Sequence, residues 1–316
     1  MKQPLIVLTG PTAVGKTELS IQLAKAVQGE IISADSMQVY RYMDIGSAKI
    51  RPDEMQGIPH HLIDCYEPEE DFHVAEFQRA AKAAMKGIYE RGKIPIITGG
   101  TGFYIQALVR DIDFTQAGDD PDYQRKLETL ALEKGAGYLH KMLQEADPAA
   151  AEEIHVHNSK RIIRALEYYH ITGEPISIHN TRERARVSPY QCACFVLNRD
   201  RQELYERIDF RVDQMLAQGL LDEVKGLLAK GYTRSMVSMQ GLGYKELLDY
   251  LNGKISYEEA VCRIKRDTRH FAKRQITWFK REPDVIWLNR EDFTDQEALL
   301  AFILNQLQKR GIYPYE

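Results

Sequence analysis

The sequence predicts an α/β fold: a parallel sheet flanked by helices, carrying an all-helical insertion domain. Three observations lead there. Short apolar runs alternate with amphipathic segments through the first third of the chain, the βαβ rhythm of a parallel sheet. From residue 119 to 189 only helical patterns are legible. Strand signal then returns at CACFVLN, residues 192–198. With 316 residues, 44% of them hydrophobic, the chain can bury a full core.

The elements follow in order. LIVLT, residues 5–9, suits a buried parallel strand. A helix over 18–27 is marked by Leu19, Leu23 and Val27 at four-residue steps. EIISAD (30–35) and HLIDC (61–65) read as the second and third strands. Residues 74–89 form an amphipathic helix with Phe77, Ala81, Met85 and Ile88 on its apolar side. IPIITGGTGFY (94–104) gives a strand, a Gly-Gly turn and a new helix. The rhythm breaks near Thr115, and QAGDDPD (116–122) is turn-forming. Helices start at Pro121 and at Asp147-Pro148, and a third is capped by Asn158 or Ser159 and ended by Gly173. After the strand at 192–198 come helices over 201–218, 220–230, 244–251 and 256–280, then the strand DVIWLN and a closing helix. The domain reading is a core over 1–118, a helical insertion over 119–189 and core completion over 190–316.

The first loop carries the chemistry. GPTAVGKT fits G-x-x-x-x-G-K-[ST] with Gly10, Gly15, Lys16 and Thr17, and lies between a strand and a helix as the pattern requires. The sheet is therefore P-loop NTPase-like. Backbone N–H groups of such a loop surround phosphate oxygens, and the helix N-terminus adds partial positive charge. Lys16 would reach the outer phosphate and the Thr17 hydroxyl would ligate Mg²⁺. Asp35 ends the second strand and so points at the same crevice. It reads as a magnesium-side acid or a general base, the bland alternative being a helix cap. Thr101, in the Gly turn at 98–102, faces the crevice too; such turns are also ordinary packing devices.

Net charge is −4, yet Arg263, Lys265, Arg266, Arg269, Lys273, Arg274, Lys280 and Arg281 share one segment with a single acid, Asp267. Ile264, Phe271 and Trp278 fall every seven residues and mark its inner face. A one-signed face attracts polyanions, where a solvated face usually mixes signs. Cys65, Cys192, Cys194 and Cys262 are too few and scattered for a disulfide framework or a metal site. No run is long enough for a membrane helix. A cytoplasmic setting without a signal peptide is expected. On residues alone three classes stay open: a small-molecule or nucleoside kinase using ATP, an enzyme that modifies nucleic acid, and a P-loop switch. The helical insertion and the basic helix favour the second.

Nearly the whole chain resembles the tRNA dimethylallyltransferases (tRNA isopentenyltransferases) of bacterial type. The resemblance rests on GPTAVGKT at Gly10, DSMQVYRYMDIGSAK (35–49), GGTGFY (99–104), KRIIRALE (160–167), GLGYKE (241–246) and AKRQITWF (272–279). It implies that Gly10, Pro11, Thr12, Ala13, Val14, Gly15, Lys16 and Thr17 cradle the diphosphate of dimethylallyl diphosphate. Mg²⁺ at Thr17 is the implied cofactor, and diphosphate leaves as the prenyl group moves. The acceptor is N6 of the adenosine immediately 3′ of the tRNA anticodon. Asp35 is carried over as general base, Thr101 as a group at the reacting centre and Arg211 as a diphosphate partner. Asp35, Ser36, Met37, Gln38, Thr101, Gln124, Lys160, Arg161, Ile162, Ile163, Arg164, Gln240, Gly241, Leu242, Gly243, Tyr244 and Lys245 match tRNA-touching segments. Arg269, Lys273 and Arg274 then serve as backbone contacts, and the insertion grips the anticodon arm. A monomer is expected, and nothing in the sequence resembles an adenine-nucleotide pocket.

Overall fold

The computed structural model describes residues 2–114, 118 and 120–313. The chain separates into two compact units, Met1–Val109 with Pro189–Glu316, and Arg110–Ser188. Part of the turn expected at 116–122 lies outside the described residues.

The first unit is built on six parallel strands: β1 (Pro4–Thr9), β2 (Gly29–Ala34), β3 (His60–His61), β4 (Ile94–Gly99), β5 (Gln191–Asn198) and β6 (Val285–Asn289). Their spatial order is β3-β2-β4-β1-β5-β6. β1 lies at the centre, in register with β4 on one side (Ile6 opposite Ile96) and β5 on the other (Ile6 opposite Ala193). Leu5 to Leu8 are apolar without alternation because both faces of the strand are covered. Leu5 and Val7 pack into a layer with Phe77, Ala81 and Ile88, whereas Ile6 and Leu8 pack with Leu19, Leu23 and Ile303.

The helices in chain order are α1 (Lys16–Ala26), α2 (Val74–Glu90) and α3 (Gly102–Val109), then α4 (Pro121–Lys134), α5 (Ala136–Ala146), α6 (Pro148–Glu153), α7 (Ser159–Thr172) and α8 (Ile176–Arg184) of the second unit. The first unit resumes with α9 (Arg201–Ala217), α10 (Leu220–Ala229), α11 (Tyr244–Leu251), α12 (Tyr257–Phe279) and α13 (Gln296–Lys309). None of the described helices is long and apolar enough to cross a membrane.

The second unit is helical throughout its described secondary structure. Its starts are side-chain capped: Asp120 accepts from the Tyr123 N–H at 3.0 Å, Asp147 from Ala150 at 3.0 Å, and Asn158, not Ser159, from Arg161 at 3.4 Å. Its core gathers Leu127, Leu139, Leu143, Ile162 and Leu166.

Two expectations need correcting. The third strand is His60–His61 and not 61–65, because Leu62 (φ 62°) and Asp64 (φ 53°) enter the left-handed region, which ends extended pairing. The buried row of α12 is Ala260, Ile264, Ala272, Gln275 and Phe279, with Phe271 and Trp278 only half-buried. A seven-residue repeat drifts about 20° per heptad on a straight α-helix, and along this row Ile264 is core, Phe271 lines the cavity and Trp278 packs on the edge of the core.

Candidate active site

The carboxyl ends of the strands open into a cavity of ≈ 790 Å³ within the first unit. The crevice rule for open parallel sheets places it there. Its lining includes Thr12, Ala13, Gly15, Lys16, Thr17, Asp35, Thr101 and Arg211, so the sequence-predicted diphosphate and catalytic residues converge on one space. Gly10, Pro11 and Val14 of the loop are not among its lining residues.

At the end of β1 the loop turns into α1 through Gly15, whose φ of 105° suits glycine. Ala13 is also left-handed at φ 62°, which costs a non-glycine residue free energy. Two arginines from beyond the second unit's sequence hold this strained segment. Arg207 Nε donates to the Ala13 carbonyl at 3.0 Å and Arg199 Nε to the Val14 carbonyl at 3.1 Å. Lys16 Nζ folds back onto the carbonyls of Gly10 (3.0 Å) and Pro11 (2.8 Å). Burial, reinforced by Arg211, pushes the Lys16 ammonium down to about 7 against the pull of Asp35. A bound polyanion would reverse that shift.

Arg211 comes from α9, one turn after Arg207. Its own pKa is lowered, first by burial and then by Arg207. No hydrogen bond or ion pair engages its guanidinium among the described residues. A half-buried, unpartnered guanidinium on the cavity that the phosphate loop lines is a vacant anion ligand.

Asp35 follows β2 directly. Its Oδ1 accepts the N–H groups of Met37 (2.8 Å) and Gln38 (3.4 Å), while Oδ2 accepts none among the described residues. One oxygen thus fixes the turn, as the capping alternative required, and the other is left for chemistry. Burial raises the Asp35 pKa; the two backbone N–H groups, Lys16 and Arg211 oppose the rise. β4 separates β2 from β1, and it ends in Thr98-Gly99 without a carboxylate. With strands about 4.8 Å apart, the end of β2 that leads into Asp35 lies roughly 10 Å from the end of β1 that leads into the loop.

The Gly turn after β4 is bound to both neighbours. Thr101 donates its N–H to the Ala34 carbonyl at 3.2 Å and heads α3. Gln275, from α12 and only 6% exposed, accepts the Thr12 N–H at 3.0 Å and donates to the Gly100 carbonyl at 2.9 Å. A Cβ at Gly100 would lie 2.0 Å from Gln275 Nε2, so any larger residue there would displace the Gln275 amide and break the bridge. The bridge occupies the Thr12 N–H, which removes one of the amides expected to meet diphosphate. Gln275, Arg207 and Arg199 escaped sequence reasoning: each is distant in sequence from the loop it holds, and only the AKRQITWF resemblance touched one of them.

Ser36, Met37, Gln38, Gln240, Gly241, Leu242, Gly243, Tyr244 and Lys245 all line the cavity. Glu223 anchors the wall they share. It accepts the N–H groups of Asp44 (2.9 Å), Ile45 (2.7 Å) and Gly46 (3.1 Å) and the Tyr244 hydroxyl (2.7 Å). Tyr244 is 1% exposed, and Gln38 spends its side chain on Ser33, Ser47 and Ala48.

The basic helix is less one-signed than its sequence. Lys265 pairs with Asp213 of α9 at 2.7 Å, Arg269 with Asp209, Arg266 with Asp267 at 2.8 Å and Arg263 with Glu259. Lys273, Arg274, Lys280 and Arg281 have no carboxylate partner among the described residues. In the second unit Lys160 and Arg161 are exposed and Ile163 is half-buried. Ile162 is fully buried, so only its backbone is left to meet a ligand. Gln124 (2.6 Å) and Arg164 (2.7 Å) both bind Glu167, a wholly buried carboxylate.

Thr17 is exposed in the cavity, and no group of three His, Cys, Asp or Glu among the described residues is set to hold a metal. That donor set fits Mg²⁺, which keeps several waters and takes most other ligands from phosphate oxygens.

A family model described as IPP transferase matches residues 38–282. The chain is 59% identical to a tRNA dimethylallyltransferase of Lachnoclostridium phytofermentans, over 98% of this chain and 99% of that one. It is 53% identical to a tRNA dimethylallyltransferase of Carboxydothermus hydrogenoformans, over 92% and 93%. Among solved structures, it is similar to the tRNA isopentenylpyrophosphate transferase of Bacillus halodurans, with TM-score 0.74, 43% identity and 98% of each chain covered. A eukaryotic dimethylallyltransferase described as acting on tRNA superposes with TM-score 0.84 at 30% identity, covering 99% of this chain and 81% of that one.

Proposed function

The chain belongs to the IPP transferase family and is a prenyl transferase, and from that premise we propose how its cavity moves a dimethylallyl group onto tRNA. The donor is dimethylallyl diphosphate. The acceptor is N6 of the adenosine immediately 3′ of the anticodon. The products are N6-dimethylallyladenosine in tRNA and free diphosphate.

The observation that carries this reading is the separation of charges. Lys16 and the unpartnered Arg211 stand at the phosphate loop, and Asp35, with one oxygen unoccupied, stands two strands away. That interval suits a leaving oxygen, an allylic carbon and an attacking nitrogen in sequence. Lys16, Arg211 and the N-terminal N–H groups of α1 neutralise the charge that builds on the departing diphosphate. Mg²⁺, held by the Thr17 hydroxyl and the diphosphate itself, supplies further neutralisation when bound. Asp35 Oδ2 takes the N6 proton as nitrogen bonds to carbon, since an exocyclic amine is a weak nucleophile until that proton leaves. Thr101 orients the diphosphate or the adenine from the turn between them.

The adenine must leave the anticodon-loop stack to enter the cavity, at a cost on the order of a few kcal/mol for a loop base. Residues 35–38 and 240–245 form the wall it meets, and Lys273 and Arg274 attract the RNA backbone without reading sequence. Lys160 and Arg161 of the helical unit supply further backbone contacts to the anticodon arm. The test is mass spectrometry of tRNA nucleosides after incubation with the protein, Mg²⁺ and either dimethylallyl diphosphate or ATP. A five-carbon adduct on adenosine is expected in the first arm only. Phosphoryl transfer in the second arm, with no adduct in the first, would replace this reading by a kinase.

A further inference from the structure

Two large apolar side chains stand in solvent on the rim of the cavity, Phe210 at 64% exposure and Val237 at 59%. The other described large apolar residues that are exposed lie elsewhere on the surface. Phe210 belongs to α9, between Asp209 and the half-buried Arg211, and one turn of that helix is tied to the phosphate loop through Arg207. Its backbone is therefore fixed relative to the reacting centre while its ring has little to pack against. A phenyl ring left in water forgoes the gain of burial, so a partner that covers it is stabilised. Cations without carboxylate partners accompany it on the same lining: Arg274, which is exposed, and more deeply Arg211. An open aromatic face beside unpaired cations is the chemistry that holds single-stranded nucleic acid by stacking and backbone attraction.

We propose that Phe210 is a stacking platform for the nucleobase flanking the target adenosine of the RNA acceptor. The inference rests on the reading of the acceptor given above and deepens it. The reacting base must travel inward to Asp35, which is half-buried, so the exposed rim receives its neighbour. Stacking on the ring holds that neighbour unstacked from the loop and keeps the target base extruded. A phenylalanine suits this task because it has two side-chain torsions to fix and accepts any base face.

The experiment compares Phe210→Leu and Phe210→Tyr with the wild type. It uses an anticodon stem-loop RNA and versions of it lacking, as abasic sites, either base beside the target adenosine. Stacking of one base predicts that Phe210→Leu weakens stem-loop binding at least about fivefold while Phe210→Tyr stays close to wild type. The KM for dimethylallyl diphosphate stays unchanged in both. On one of the two abasic RNAs the Leu and wild-type affinities converge. Equal binding by the Leu and Tyr variants overturns the proposal. So does a shift confined to the KM of the prenyl diphosphate, which would make Phe210 a wall for the donor's apolar tail. If the wild type itself binds no stem-loop and adds no prenyl group, the acceptor reading falls and this proposal with it. If the wild type modifies the RNA and Phe210→Leu binds it equally well, this proposal alone falls.

Discussion

Replacing Gln275 by leucine cuts the bridge between the phosphate loop and the Thr101 turn. Two hydrogen bonds are lost, to the Thr12 N–H at 3.0 Å and the Gly100 carbonyl at 2.9 Å. An unsatisfied buried polar group costs about 1–3 kcal/mol. Gly100 is buried and carries the full penalty; Thr12 is half-buried beside the cavity, where water reaches its N–H. The total is about 2–4 kcal/mol, and at roughly 2 °C per kcal/mol for a chain of this size the melting midpoint falls by about 4–8 °C. Gln275 is a positioning residue, so catalysis should suffer more than binding. A displacement of about 1 Å between loop and turn costs on the order of 10²-fold in turnover. Single-turnover prenyl transfer and stem-loop titration separate the two effects: kcat falls while RNA affinity holds. Gly100→Ala provides the check, because its Cβ would meet Gln275 Nε2 at 2.0 Å and break the same bridge. The double variant should then be little worse than either single one. Additive losses in the cycle, or turnover near wild type at reduced stability, would refute the coupling.

Asp35→Asn should slow transfer by about 10²–10⁴-fold with stem-loop affinity retained in a gel shift. Because burial raises the Asp35 pKa, wild-type kcat/KM should decline with falling pH above the ordinary carboxylate range; a flat wild-type profile there would remove Asp35 as base. Lys273→Ala with Arg274→Ala should weaken RNA binding and lower the slope of log affinity against log salt by about one per cation removed; an unchanged slope would make them ordinary solvated side chains. In β2, Glu30 is lowered from 4.5 to about 2, chiefly by hydrogen bonds from Arg91 and also by His61. Its stabilisation, about 3 kcal/mol, is present in full above pH 4.5 and is lost as pH falls towards 2. Denaturant titrations of Glu30→Gln should lack that acid dependence, and an identical pH profile in the two proteins would contradict the assignment.

Local pattern in the amino-acid order determined the parallel sheet, the loop at Gly10–Thr17 and the helix starts at Pro121 and Pro148, because apolar runs, cap residues and glycine spacing act within a few residues of themselves. Asp35 and Thr101 were legible for the same reason, as residues at the ends of strands. Tertiary structure alone decided who touches whom across long separations. It put β4 between β1 and β2 and so kept the Gly10–Thr17 loop and Asp35 on strands that are not neighbours. It brought Asp209 and Asp213 onto the basic helix, where they pair with Arg269 and Lys265, two of its eight cations. It also turned Gln275, an unremarked polar residue in a basic segment, into the link between two loops. Periodicity cannot carry such information, since hydrogen bonds and ion pairs depend on distances in space that the spacing of residues along a chain does not fix.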